Sequence, residues 1–248
     1  MTRTLPTPRP GTRAITYPNQ QTPNAFDIHT AQKAKISAAT AKYAVEAIGT
    51  FFLVLTIGGA VHSTSPLAPL AIGAVLMAMI YAGGHLSGAH YNPAVTLAVL
   101  VRGRIGLREA VGYCAAQLAG ALGAAAIVAA SMPRNPAGPL QVSGVGALAA
   151  VIAETLFTFA LCYVVLNVAT SKDHPDNSFY GLAIGFTVMA GAVAVGGISG
   201  GAFNPAVVVA GIATGQFSGS LLWLYVPAQI LAGLAAGAAF RTLNPADK

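Results

Sequence analysis

Apolar and polar positions divide the chain sharply. Residues 1–37 are polar and dotted with Pro6, Pro8, Pro10, Pro18 and Pro23, without the apolar core of a cleavable signal, and are expected to form a disordered cytosolic tail. Six apolar runs follow, at about 39–62, 67–86, 108–131, 145–169, 179–198 and 219–240. Each is near the ~20 residues that a helix needs to cross the ~30 Å hydrocarbon layer of a bilayer. Two shorter apolar stretches, 92–101 and 204–213, amount to ~15 Å of helix each and reach only halfway.

An internal repeat organises these runs. Ser87-Gly88-Ala89-His90-Tyr91-Asn92-Pro93-Ala94-Val95 returns as Ser199-Gly200-Gly201-Ala202-Phe203-Asn204-Pro205-Ala206-Val207, identical at six of nine positions and offset by 112 residues. The same offset relates Ala116-Gln117 to Ala228-Gln229, and a slightly smaller one relates Glu46 to Glu154. Each half holds three full spans, an odd number, so the second copy enters the membrane from the opposite side. The reading is an all-α integral membrane protein with six transmembrane helices and two re-entrant half-helices in an inverted repeat. Repeat one covers about 38–131 and repeat two about 145–241, within a membrane domain of 38–241. Residues 242–248 form a short cytosolic tail.

Charge supports this arrangement. Of 248 residues 55% are hydrophobic and only 8% charged, against roughly 25% in soluble domains. No Asp, Glu, Lys or Arg occurs between Ala47 and Val101 or between Asn177 and Phe240. With both termini cytosolic, Arg3, Arg9, Arg13, Lys33, Lys35, Lys42, Arg102, Arg104, Arg108, Lys172, Arg241 and Lys248 all fall inside, and Arg134 alone outside. The surplus of 13 basic over 7 acidic residues is therefore assigned to membrane topology. No nucleic-acid-binding motif accompanies it. Gly112, Ala116, Gly120 and Ala124, spaced by four, and the Gly233–Gly237 pair predict closely packed helices.

The repeated box carries the chemistry. Proline suits the first helical position, where its missing N–H is not needed, and the preceding Asn suits the cap. Asn92-Pro93 and Asn204-Pro205 are therefore read as helix starts. The glycine-rich approaches permit extended loops whose carbonyls face a cavity. Two opposed helix amino termini, each carrying about half a positive charge, repel cations and turn water oxygens toward the midplane. The Asn amides can donate to a passing oxygen.

On these residues the sequence resembles the aquaporin, or major intrinsic protein, family over everything after the tail. The resemblance rests on the two SGxxNPA boxes in inverted repeats and the Glu of each half. It implies pore motifs at Asn92, Pro93, Ala94, Asn204, Pro205 and Ala206. It also implies backbone lining from Gly88, Ala89, His90, Gly200, Ala202 and Phe203, and a homotetramer with one pore per subunit. Asn135-Pro136-Ala137 and Asn244-Pro245-Ala246 lack the glycine-rich approach and receive no pore role. Where most water channels of the family place Arg after the second box, this chain has Val207. The other constriction positions match Ile72, Ala192 and Gly201, which implies a wide, uncharged selectivity filter.

Glu46 and Glu154 lie inside apolar spans, where ionisable residues are costly. They read either as proton-coupling carboxylates or, preferred here, as supports hydrogen-bonded to the re-entrant loops. His85 and His90 are five apart, share no helical face and have no acidic neighbour in sequence, so no metal site is assigned. No cofactor is expected. Trp223, Tyr225, Tyr43 and Tyr180 read as interface anchors, and Cys114 and Cys162 as buried thiols.

The expected function is a passive channel for water and small uncharged solutes such as glycerol, urea or metalloid acids. Its expected home is the plasma membrane, which in a bacterium is the inner membrane. The alternative is a secondary active transporter with a midplane site between broken helices and Glu46 or Glu154 as coupling group. An intramembrane hydrolase built from Ser87 or Ser199 with His85 or His90 is disfavoured, because both serines belong to the repeated box and only one half carries histidines. The chain is read as non-enzymatic.

Overall fold

The computed structural model describes residues 25–132 and 138–247, those before residue 40 by backbone alone. Contacts group the chain into two units, Met1–Ser37 and Ala38–Lys248. Among the described residues eight helices run in order: α1 (Ala25–His62), α2 (Ala68–Ser87), α3 (Pro93–Arg102), α4 (Leu107–Ser131), α5 (Gly144–Thr170), α6 (Tyr180–Ser199), α7 (Pro205–Ala213) and α8 (Leu221–Leu243). Six stretches among the described residues are long and apolar enough to cross a membrane: Thr40–His62 of α1, then α2, α4, α5, α6 and α8. The half-helices α3 and α7 have 10 and 9 residues.

One expectation at the chain ends changes. Residues 25–37, assigned to a disordered tail, are helical in α1. Pro23 is the last proline before that helix, and the Ala-, Lys- and Gln-containing stretch after it favours helix. At the other end, α8 continues to Leu243 and the next residues turn back, with Asp247 N–H donating to the Asn244 carbonyl at 3.1 Å. Asp247 is buried.

Water is not available to drive these helices together inside a bilayer, so close backbone approach does much of that work. A Cβ on Gly120 of α4 would overlap the Ala47 carbonyl oxygen of α1, and one on Gly233 of α8 would lie 2.5 Å from the Ala94 carbonyl oxygen of α3. Gly73 of α2 and Gly185 of α6 face each other similarly, each Cβ position 2.6–2.8 Å from the other's carbonyl oxygen. Gly237 packs against Val101 and the Ala98 carbonyl. Large apolar side chains such as Val145, Val193, Leu231 and Trp223 are exposed around the outside. That pattern is costly in water and natural against lipid.

The interface assignment of one aromatic fails. Tyr225 is fully buried, and its hydroxyl donates to the Ser199 carbonyl at 2.9 Å. Tyr113, 112 residues earlier, donates to the Ser87 carbonyl at 2.7 Å. This pair of tyrosines holds the carbonyl at the end of α2 in one half and of α6 in the other. Trp223 is 77% exposed. Of the two free cysteines, Cys162 is buried and Cys114 only half-buried.

Candidate functional site

Each half-helix begins as its sequence dictates. Asn92 is extended (φ −158°) and its Oδ1 accepts from Ala94 N–H at 2.8 Å, with Pro93 opening α3. Asn204 (φ −157°) repeats this with Ala206 N–H at 2.9 Å, and Pro205 opens α7. The other end of each side chain crosses to the opposite half. Asn92 Nδ2 donates to the Phe203 carbonyl at 2.8 Å, and Asn204 Nδ2 donates to the Tyr91 carbonyl at 2.9 Å. A primary amide has two N–H groups. One of each pair is thus committed to the opposite loop, which the sequence did not disclose.

The approach loops turn on residues with positive φ. Gly88 (86°) and Gly200 (84°) cap α2 and α6 in the left-handed region, followed by Ala89 (53°) and Tyr91 (49°) in the first loop and by Gly201 (64°) and Phe203 (47°) in the second. Left-handed backbone at Ala89, Tyr91 and Phe203 is unfavourable and must be held by its surroundings. Two carboxylates provide that hold. Glu46 Oε1 accepts from Ser87 Oγ (2.7 Å) and His90 N–H (2.9 Å), and its Oε2 accepts from Tyr91 N–H (2.7 Å) and Gln117 Nε2 (2.8 Å). Glu154 Oε1 accepts from Ser199 Oγ (2.7 Å) and Ala202 N–H (3.0 Å), and its Oε2 from Phe203 N–H (2.7 Å) and Gln229 Nε2 (2.8 Å). Both carboxylates are fully buried, and both oxygens of each are engaged.

The halves differ around His90. Thr96 Oγ1 lies 3.1 Å from His90 Nδ1, accepts from Gln117 Nε2 at 2.9 Å, and donates to the Asn92 carbonyl at 3.1 Å. The positions 112 residues on are Ala202, Val208 and Gln229, so the second half has no equivalent triad.

Between the loops lies a cavity of about 890 Å³. All four residues matched to the constriction, Ile72, Ala192, Gly201 and Val207, line it, as do Ala89, His90, Asn92, Gly200, Ala202 and Asn204. Gly88 and Phe203, expected as backbone lining, do not. Gly88 is the α2 cap, and Phe203 is buried with its ring 5.5 Å from that of Phe157 and its carbonyl turned to Asn92. His85 is exposed and stands apart from the cavity, and no cluster of metal-ligating side chains occurs among the described residues. Asn135-Pro136-Ala137 lies outside the described residues, and Asn244-Pro245-Ala246 forms the turn after α8.

The sequence missed the wall formed by Gly138–Gln141 and Gln216–Phe217. Leu140 and Phe217 form an isolated parallel bridge, with Leu140 N–H donating to the Gln216 carbonyl at 2.8 Å and Ser218 N–H to the Leu140 carbonyl at 3.0 Å. Phe217 packs on Gly200 and Gly211. The one available signal was the run of small residues beside an isolated aromatic.

Taken together, these features define a helical membrane protein whose two half-helices begin side by side and cap one another's approach loops. The chain belongs to the major intrinsic protein family, whose sequence pattern matches residues 38–196 and 180–247. It is 34% identical over 219 residues to aquaporin NIP1-3 of Oryza sativa subsp. japonica, covering 84% of this chain and 75% of the relative. It is 35% identical over 215 residues to glycerol uptake facilitator protein-like 6 of Lactiplantibacillus plantarum, covering 83% and 99% respectively. In fold it is similar to the X-ray structure of the aquaglyceroporin from Plasmodium falciparum, with a TM-score of 0.68 at 22% identity, covering 84% of this chain and 98% of that one.

Proposed function

We propose that this chain is a passive transmembrane channel for water and small neutral solutes, entered through a wide apolar filter. The observation that carries the reading is the crossed pair of bonds from Asn92 to Phe203 and from Asn204 to Tyr91, which fixes two helix amino termini at one waist. Their partial positive charges disfavour cations and orient water oxygen-first, which interrupts proton hopping. The second N–H of each Asn amide is left for a passing oxygen. The relatives named for water and for glycerol transport support both classes of permeant.

Ile72, Ala192, Gly201 and Val207 act as the selectivity filter. Three of them are aliphatic and one has no side chain, so the filter presents neither charge nor side-chain donor. Backbone at Ala89, His90, Gly200 and Ala202 supplies the polar lining. Glu46 and Glu154 support the loops. With each oxygen accepting two hydrogen bonds, neither carboxylate is placed to carry a coupling proton, which favours a channel over an active transporter. Ser87 and Ser199 spend their hydroxyl protons on these carboxylates rather than on a histidine base, which favours a non-enzymatic role. The excess of basic residues on one side of the predicted topology argues for both termini being cytosolic, and family membership for a homotetramer; the plasma membrane is the location proposed with them.

Stopped-flow light scattering on proteoliposomes tests the filter. Water, glycerol, urea and arsenous acid are expected to permeate, and Val207→Arg is expected to exclude the larger solutes. Unchanged solute flux in Val207→Arg would place the constriction elsewhere.

A further inference from the structure

The outer end of the cavity carries two polar side chains that the waist does not use. Six lining residues have polar side chains: His90, Tyr91, Asn92, Gln141, Asn204 and Gln216. Four of them are engaged inside the protein. His90 meets Thr96, the Tyr91 hydroxyl donates to the Met79 carbonyl, and the two Asn amides donate across the waist. The side-chain amides of Gln141 and Gln216 make no hydrogen bond among the described residues.

Their placement is fixed by backbone. Gln141 follows Leu140, whose N–H is bonded to the carbonyl of Gln216 itself, and the Leu140–Phe217 bridge holds the two segments in register. Phe217 anchors the join: a Cβ on Gly200 would lie 2.7 Å from its ring, and one on Gly211 2.5 Å. The glutamines therefore come from two distant parts of the chain, the connection between repeats and the segment after α7, and are pinned beside the second approach loop.

Below them, Ile72, Ala192, Gly201 and Val207 contribute no side-chain donor, and backbone carbonyls only accept. A solute with several hydroxyl or amide groups that leaves bulk water here needs donors as well as acceptors. A primary amide supplies both, with two N–H groups and a carbonyl oxygen.

We propose that Gln141 and Gln216 form a polar collar at the outer mouth that hydrogen-bonds polyol and urea-like solutes as they shed their water, and so sets which neutral solutes pass. The collar rests on the channel reading above and names a determinant of its specificity. Water depends on it less, because a single water can stay bonded to neighbouring waters and to the loop carbonyls.

The test is stopped-flow light scattering on proteoliposomes of the full chain, with water, glycerol and urea as probes. The double variant Gln141→Leu/Gln216→Leu is expected to lower the glycerol-to-water and urea-to-water permeability ratios by about three- to tenfold for each hydrogen bond lost. Gln141→Asn/Gln216→Asn, which keeps the amides, is expected to keep most of the wild-type ratio. An unchanged ratio in the Leu variant beside a conducting wild type overturns the collar alone, as does an Asn variant that falls as far as the Leu variant. Wild-type vesicles that shrink no faster than empty ones overturn the channel reading and the collar with it.

Discussion

Asn92 and Phe203 stand 111 residues apart in sequence and meet through one hydrogen bond of 2.8 Å, from the side-chain amide of the first to the carbonyl of the second. The same Asn accepts from Ala94 N–H. One side chain thus caps its own helix and ties down the opposite loop, and Asn204 returns both bonds. Asn92→Ala removes the cap and leaves a buried carbonyl without its donor, a cost of about 1–3 kcal/mol. Asn92→Asp keeps the cap acceptor and loses the donor. Thermal unfolding in detergent is expected to rank wild type above both variants, and water flux to fall in both.

Gly120 offers a test with a built-in control. An Ala there meets the Ala47 carbonyl of α1, which is backbone and cannot rotate away. Gly120→Ala is expected to cost about 1–3 kcal/mol and to lower the yield of folded protein on size-exclusion chromatography. Gly146 in α5 is exposed and would meet nothing within 4 Å. Gly146→Ala is expected to stabilise by up to about 1 kcal/mol through helix propensity.

The carboxylate of Glu46 is read as a loop support, so Glu46→Gln is expected to act on structure. The amide's two N–H groups would face donors that now point at an oxygen, at about 1–3 kcal/mol for each donor left unsatisfied. Reduced melting temperature and reduced water flux should appear together. A variant with full stability and altered response to a proton gradient would instead assign Glu46 to coupling.

Asp247 gathers one end of the bundle. Its Oδ1 accepts from Arg102 and from Arg104 (3.5 Å), its Oδ2 accepts from Lys172 N–H (2.9 Å), and the Arg102 guanidinium lies 4.5 Å from the centre of the Phe240 ring. Burial alone would raise its pKa, but hydrogen bonds from Lys172 N–H and Ser171, together with Arg102, outweigh it and hold the carboxyl below its ordinary value of 3.8. A depressed folded-state pKa contributes stability that is present above the ordinary value and is lost as pH falls through the folded one. Asp247→Asn is therefore expected to melt lower than wild type at pH 7, with the gap closing below about pH 4. Melting curves at both pH values check this.

What the sequence disclosed follows from where its signals were local. Proline, asparagine and glycine at 88–93 and 200–205 mark caps and turns through their own backbone preferences, and repetition at an offset of 112 doubled each mark. Six spans were legible because twenty apolar residues have few other uses. Tyr225 was misread because its position near a helix end says nothing of which neighbour its ring meets. The Leu140–Phe217 bridge and the seat of Asp247 were invisible for the same reason. Each depends on two segments with no shared periodicity, brought together only by the fold.

Water permeability across liposomes reconstituted with the full chain, measured by stopped-flow with and without imposed proton and sodium gradients, distinguishes a passive pore from a coupled carrier. A passive pore gives osmotic shrinkage faster than in empty vesicles and solute equilibration indifferent to either gradient. Shrinkage no faster than in empty vesicles, or a solute accumulated at the expense of a gradient, would contradict it.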